Sequence, residues 1–291
     1  MTLIAIILAL IIERIIGGAH LLHNFTWFER WAAALESRLP DGAPPALCFA
    51  LVVLPLLLVL WLLQYLLSDW LWGLAGFALD VLVLSACLGP RLLDSDVDDY
   101  LNAREQGDAQ AIDRTQRQLT GKNRAESLSA EVQALTESVF YQANLRWYAV
   151  IFWFLLAGAG GVALYRLTLL LCADHRAAGQ LARQVYGVLG WLPARISALY
   201  FGLMGSMDEA LYALQSAHRS QTDWAEGNRR VLAHTGCAAI NMEMPPQHDA
   251  SQDLSWARAA NWVRRARGLC LRVLMLWLAT VALFTLMGWM M

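Results

Sequence analysis

From Ala46 to Leu67 the chain runs without a charged side chain. At 1.5 Å per residue, a helix of that length crosses the roughly 30 Å hydrocarbon core of a bilayer. Lipid offers no partner to backbone N–H and C=O groups, so the run specifies a membrane-spanning α-helix. Pro55 should kink it, with neighbouring helices satisfying the freed carbonyl. Further spans are predicted at 70–88, 147–171, 185–204 and 269–289. Residues 1–16 form an additional or partial span. That apolar run ends at Glu13-Arg14, which a bilayer tolerates only if both charges find partners inside the protein.

Composition agrees. Hydrophobic residues make up 58% of the chain and charged residues 16%, where a soluble domain carries about 25% charged residues. The 13 tryptophans suit a protein with many membrane–water boundaries. A net charge of -2 argues against a nucleic-acid binder, which would need a basic face. Cys48, Cys87, Cys172, Cys237 and Cys270 are scattered without a C-x-x-C, which predicts free thiols and no metal site. The N-terminus has neither the basic n-region nor the small-residue cleavage site of a signal peptide.

Two polar stretches, 91–146 and 206–267, interrupt the apolar runs. Leu93, Val97, Tyr100 and Leu101 recur at helical spacing, and a helix beginning near Ser129 continues toward the span at 147. Arg258, Arg264, Arg265 and Arg267 directly precede the last span and place that boundary in the cytoplasm by the positive-inside rule. The predicted fold is all-α: a single polytopic helical membrane domain over 1–291, with a cytoplasmic helical cap built from separated segments.

Arg195 is the sharpest candidate for chemistry. It is the one charge between Val185 and Met204, two residues after Pro193. A lone arginine at a helix centre costs about 2.5–3.5 kcal/mol on insertion scales. Its guanidinium therefore faces an anionic ligand, or an ion pair with Glu13, Asp80 or Glu137. Glu13 and Arg14 enter the same cavity or mark a helix end. Arg166, near the end of its span, lines that cavity or snorkels to the interface. Glu137 and Asn144, seven apart on one helix face, and the following Arg146 present an acid, an amide and a cation to a ligand, or a solvated face.

Other chemistry is weakly supported. His20, His23 and Asn24 lack an acidic partner. Asp94, Asp96, Asp98 and Asp99 lack the glycine turn and closing glutamate of an EF-hand, and read as a solvated helix start. P-loop, nucleophile-elbow and zincin motifs are absent.

Two stretches carry a family resemblance. Glu137-Ser138-Val139, Ala149 to Trp153, the glycines near 160 and Tyr165-Arg166 resemble the centre of the CobD/CbiB membrane proteins. Trp191-Leu192-Pro193-Ala194-Arg195-Ile196-Ser197-Ala198 resembles their N-x-x-P-A-R-L-T-A segment. Leu10-Ile11-Ile12-Glu13-Arg14, Tyr100-Leu101-Asn102-Ala103 and Gly107-Asp108 look like the AmpE branch of that superfamily. CobD/CbiB membership implies attachment of aminopropanol, or its phosphate, to a cobyric acid. The acids of those enzymes are replaced here: Tyr141-Gln142 and Leu145 stand where they carry Glu-Asn and Asp. Likewise, Glu13-Arg14 and His20-Leu21 replace their first-helix Asp and His-Pro pattern.

AmpE resemblance implies an inner-membrane modulator of β-lactamase induction and peptidoglycan recycling, functionally linked to the amidase AmpD. The expected function is therefore a regulatory protein binding an anionic or amphipathic ligand between helices. That ligand would be cell-wall-derived or phosphorylated. Arg195, Arg166, Glu13, Arg14 and Glu137 would line the cavity. No cofactor and no nucleic acid are expected; membrane lipids and a second copy of the chain are the expected neighbours. The alternative is an amide-forming membrane enzyme acting on a non-cobalamin substrate.

Overall fold

Apolar runs and polar stretches alike become helices. The computed structural model describes residues 2–16, 25–40, 43–67, 73–88, 93–123, 125, 127–173, 177–218, 223–242 and 255–287. The residues His20, Leu21, His23 and Asn24, singled out in the sequence, lie outside them. Among the described residues the order is α1 Thr2–Ile16, α2 Thr26–Glu36, α3 Pro45–Leu67, α4 Leu74–Cys87, α5 Leu93–Gln106, α6 Ala109–Thr120 and α7 Leu128–Ala143. A π-helical turn, Asn144–Tyr148, joins α7 to α8 Ala149–Leu171. Then come α9 Ala177–Met204, α10 Met207–His218, α11 Trp224–Ala239 and α12 Trp256–Leu286. No strand occurs among them.

Four helical stretches are long and apolar enough to cross a membrane: Pro45–Leu67, Leu128–Leu171, Ala178–Met204 and Trp256–Leu286. The chain is a multi-pass, all-α membrane protein. The apolar α4 is shorter than the span read at 70–88, with 14 residues. Conversely, α9 begins before the span read at 185–204, because Ala177 to Gln184 is polar yet rich in helix formers.

Two compact units form. The first comprises Met1–Pro90, Ala149–Leu192 and Leu278–Met291. Within it α4 packs on α1 and α8, and α3 packs on α2 and α8. Phe28, Ala32, Val52, Val53, Leu167, Leu171 and Ala182 form a core there. Both helix-interior prolines have a tryptophan nearby. Pro193 has no N–H for the carbonyl of Leu189, four residues back, and the Trp153 indole donates to that oxygen at 3.2 Å. Beside Pro55, the Trp31 indole donates to the Val52 carbonyl at 3.3 Å. Within α8 the helix breaks at Ala157 and Gly158, where φ 60° and ψ -155° place Gly158 in a region open essentially to glycine alone.

The second unit comprises Arg91–Tyr148 and Pro193–Trp277. Here α6 is capped by Asp108, whose Oδ1 accepts from the N–H groups of Gln110 and Ala111, and α7 by Ser127. An aromatic cluster fills the interior: Tyr148 stacks on Trp277 and meets Phe201 edge-on, and Phe201 meets Phe140 edge-on. Glycine brings α11 against α7, because a Cβ at Gly236 would overlap the Phe140 ring. The four-aspartate segment opens a helix with Asp98 and Asp99 exposed, as expected of a solvated start, and departs from that reading at one residue. Asp96 is buried and paired with Arg146.

Candidate functional site

Within the second unit, three helices each turn one polar face toward a common cavity of about 730 Å³. From α7 come Gln133 and Glu137, one turn apart, with the Gln133 Nε2 donating to the Glu137 Oε1 at 2.9 Å. From α10 come Glu209, Tyr212 and Ser216, spaced by three and four. From α11 come His234 and Cys237, followed by Asn241 just beyond the helix. Asn241 holds a left-handed backbone, φ 51°, where the chain leaves α11.

The lining charge is one-sided. Two carboxylates, Glu137 and Glu209, and one imidazole, His234, face the space, and among the described residues no lysine or arginine lines it. Such a wall favours a cation or a protonated amine over an anion. Burial, and after it the neighbouring Glu137 carboxylate, push the Cys237 thiol well above its ordinary range. Cys237 thus stays protonated near neutral pH and is unsuited to act as a nucleophile. The proton acceptors of the cavity are the imidazole and the two carboxylates.

Of the seven candidate ligand-binding residues Arg195, Arg166, Glu13, Arg14, Glu137, Asn144 and Arg146, Glu137 lines this cavity and the other six do not. Arg195 Nη1 donates to Asn228 Oδ1 on α11 at 2.7 Å. Asn144, in the π-helical turn, accepts at Oδ1 from the Ser197 hydroxyl at 3.1 Å. Arg146 donates from Nη1 to Asp96 Oδ2 at 2.7 Å, and from Nε to Gln142 Oε1 at 3.3 Å. These contacts knit α5, α7, α9 and α11 together within the second unit. Glu13, Arg14 and Arg166 belong to the first unit. The Glu13 carboxylate oxygens are buried, Arg14 is exposed, and the Arg166 guanidinium lies 5.4 Å from the centre of the Phe25 ring.

Sequence reasoning passed over Glu209, Tyr212 and His234. Their spacing suits helix faces, but nothing local tells which face meets α7. The replaced family positions are also accounted for. The Arg229 guanidinium lies 5.6 Å from the centre of the Tyr141 ring, and Gln142 Nε2 donates to the Leu119 carbonyl at 3.2 Å. Both side chains are engaged in packing one turn beyond Glu137.

Residues 6–245 match the family model described as CobD/Cbib protein. The chain is 29% identical over 254 residues to the cobalamin biosynthesis protein CobD of Stutzerimonas stutzeri, covering 82% of this chain and 80% of that protein. It is 28% identical over 256 residues to the protein of the same name from Chromobacterium violaceum, covering 81% and 79%. No solved structure matches. The match runs through the first polar stretch and into the second as far as residue 245, and the chain belongs to the CobD/CbiB family.

Proposed function

We propose that this protein is a membrane enzyme of the CobD type that joins a primary amine to an acyl group. The observation carrying the reading is the cavity wall, with Glu137, Glu209 and His234 facing a space whose lining, among the described residues, has no lysine or arginine. The carboxylates hold the substrate ammonium. Deprotonation by His234 frees the amine lone pair to attack an acyl carbon that brings its own leaving group. The relatives named for cobalamin biosynthesis support a biosynthetic role, and the reaction class is the one the CobD/CbiB resemblance implies. Tyr141, Gln142 and Leu145, standing where the resemblance expects Glu-Asn and Asp, favour an acyl partner other than a cobalamin precursor. The arginines from Arg258 to Arg267 support an inner-membrane location with the second unit on the cytoplasmic side.

A second reading, the AmpE-type modulator of β-lactamase induction, is favoured by the same replacements, since Tyr141 and Gln142 are committed to packing. In that case the cavity senses an amine-bearing cell-wall fragment and transforms nothing. Calorimetry of the purified protein with a panel of primary amines tests the shared premise. Binding should weaken in Glu137→Gln and Glu209→Gln, and equal binding in both variants sinks it. Incubation with amine, cell-wall precursors and ATP then separates the readings: a new amide by mass spectrometry marks the enzyme. Altered β-lactamase induction in a Glu137→Gln strain, with no amide formed, marks the modulator.

A further inference from the structure

Five arginines lie on α12 between Arg258 and Arg272, and the helix contains no acidic residue. They divide by face. Arg264 Nη2 pairs with Glu105 Oε1 at 3.1 Å, and Arg267 pairs with Asp98, both carboxylates belonging to α5. Arg258, Arg265 and Arg272 follow at intervals of seven and therefore share another face. All three are exposed. Among the described residues Arg258 and Arg265 have no carboxylate partner, and Arg272 donates from Nε to the carbonyl of Gly268 in its own helix at 3.4 Å.

The same face then changes character within one turn. Met275, 64% exposed, lies three residues beyond Arg272. Helix geometry puts Met275 about 4.5 Å further along the axis than Arg272, and Arg265 about 10 Å behind it. This is the passage from headgroup to hydrocarbon. An arginine there lays its methylenes on apolar surface and raises its guanidinium to phosphate level. Each headgroup layer is roughly 5–8 Å thick, so Arg265 and Arg272 bracket one layer.

We propose that the exposed face of α12 from Arg265 to Arg272 binds the headgroup phosphate of an anionic phospholipid, with Arg258 as an outer contact. Guanidinium forks suit phosphate oxygens, and the exposed Met275 side chain beside them meets the acyl chains. A second copy of the chain is a poor occupant. A two-fold contact would set this face against itself, arginine against arginine, with no acid on either helix.

The test uses the full chain, purified in neutral detergent and titrated with phosphatidylglycerol or phosphatidylcholine under native mass spectrometry. The wild type should retain phosphatidylglycerol in preference. Arg265→Gln/Arg272→Gln should lower that retention by about fivefold per arginine removed, with phosphatidylcholine unaffected. Arg264→Gln/Arg267→Gln, which removes the arginines paired with α5, should keep the preference. If the first double variant is not recovered as a helical, monodisperse protein, Arg272→Gln alone gives the same reading. Equal retention of the two lipids by the wild type overturns the proposal. So does a preference that survives Arg272→Gln and the double variant undiminished, or one lost equally in Arg264→Gln/Arg267→Gln. Displacement of the lipid by soluble glycerol 3-phosphate, or dimerisation abolished by Arg265→Gln/Arg272→Gln, overturns it in favour of a free phosphate or a second copy.

Discussion

Arg146 and Asp96, fifty residues apart in the chain, meet at 2.7 Å with their side chains 9% and 2% exposed. Truncating one partner of a buried ion pair strands the other charge, at about 3–5 kcal/mol. Arg146→Ala and Asp96→Ala should each lower the unfolding midpoint in detergent strongly, whereas Asp96→Leu/Arg146→Met should recover most of the loss. A double variant no more stable than the worse single one refutes the coupling.

Glu137 and Cys237 share the cavity wall, and the carboxylate disfavours the thiolate. Removing that charge lowers the thiol pKa, so more thiolate is present at any given pH. Glu137→Gln should therefore speed alkylation of Cys237 by iodoacetamide at mildly alkaline pH, read peptide by peptide in a mass spectrometer. An unchanged rate places the two groups apart.

Trp153 serves the carbonyl that Pro193 cannot. Trp153→Phe leaves that acceptor without the indole, at about 1–3 kcal/mol. Pro193→Ala supplies a backbone N–H to the same oxygen. The cost of Trp153→Phe should thus shrink in the Pro193→Ala background, and a double-mutant cycle with no coupling contradicts the assignment.

Gly236 lets α11 lie against the Phe140 ring. Gly236→Ala overpacks that contact, and a cost of about 1–3 kcal/mol is expected. Adding Phe140→Leu should relieve part of it. Thermal unfolding of both variants decides.

The membrane helices were legible because hydropathy accumulates over some twenty residues and needs no tertiary context. Asp96 was legible in principle. Leu93, Asp96, Val97, Tyr100 and Leu101 follow one stripe of α5, so the aspartate sits amid its apolar face, although four clustered acids suggested solvent. Arg195 was recognisable as a charge needing a partner, but Asn228, thirty-three residues on, becomes its partner through the pairing of α9 with α11. The cavity was illegible for the same reason. Glu137, Glu209 and His234 come from three helices whose mutual rotation no local pattern encodes.

The π-helical turn at Asn144–Tyr148 makes the helix from α7 to α8 a device with two phases. A π turn accommodates about one residue more than an α turn. Within the second unit that extra residue sets the aim of Tyr148, whose hydroxyl donates to the Cys270 carbonyl at 2.8 Å and whose ring stacks on Trp277. Deleting one residue within 144–147 would let an ordinary turn form and would turn Tyr148 by about 100° relative to Glu137. Tyr148 would then lose the Cys270 oxygen and the Trp277 ring, while Glu137 kept its place. A single-residue insertion or deletion there thus unmakes the aromatic cluster without touching the cavity wall.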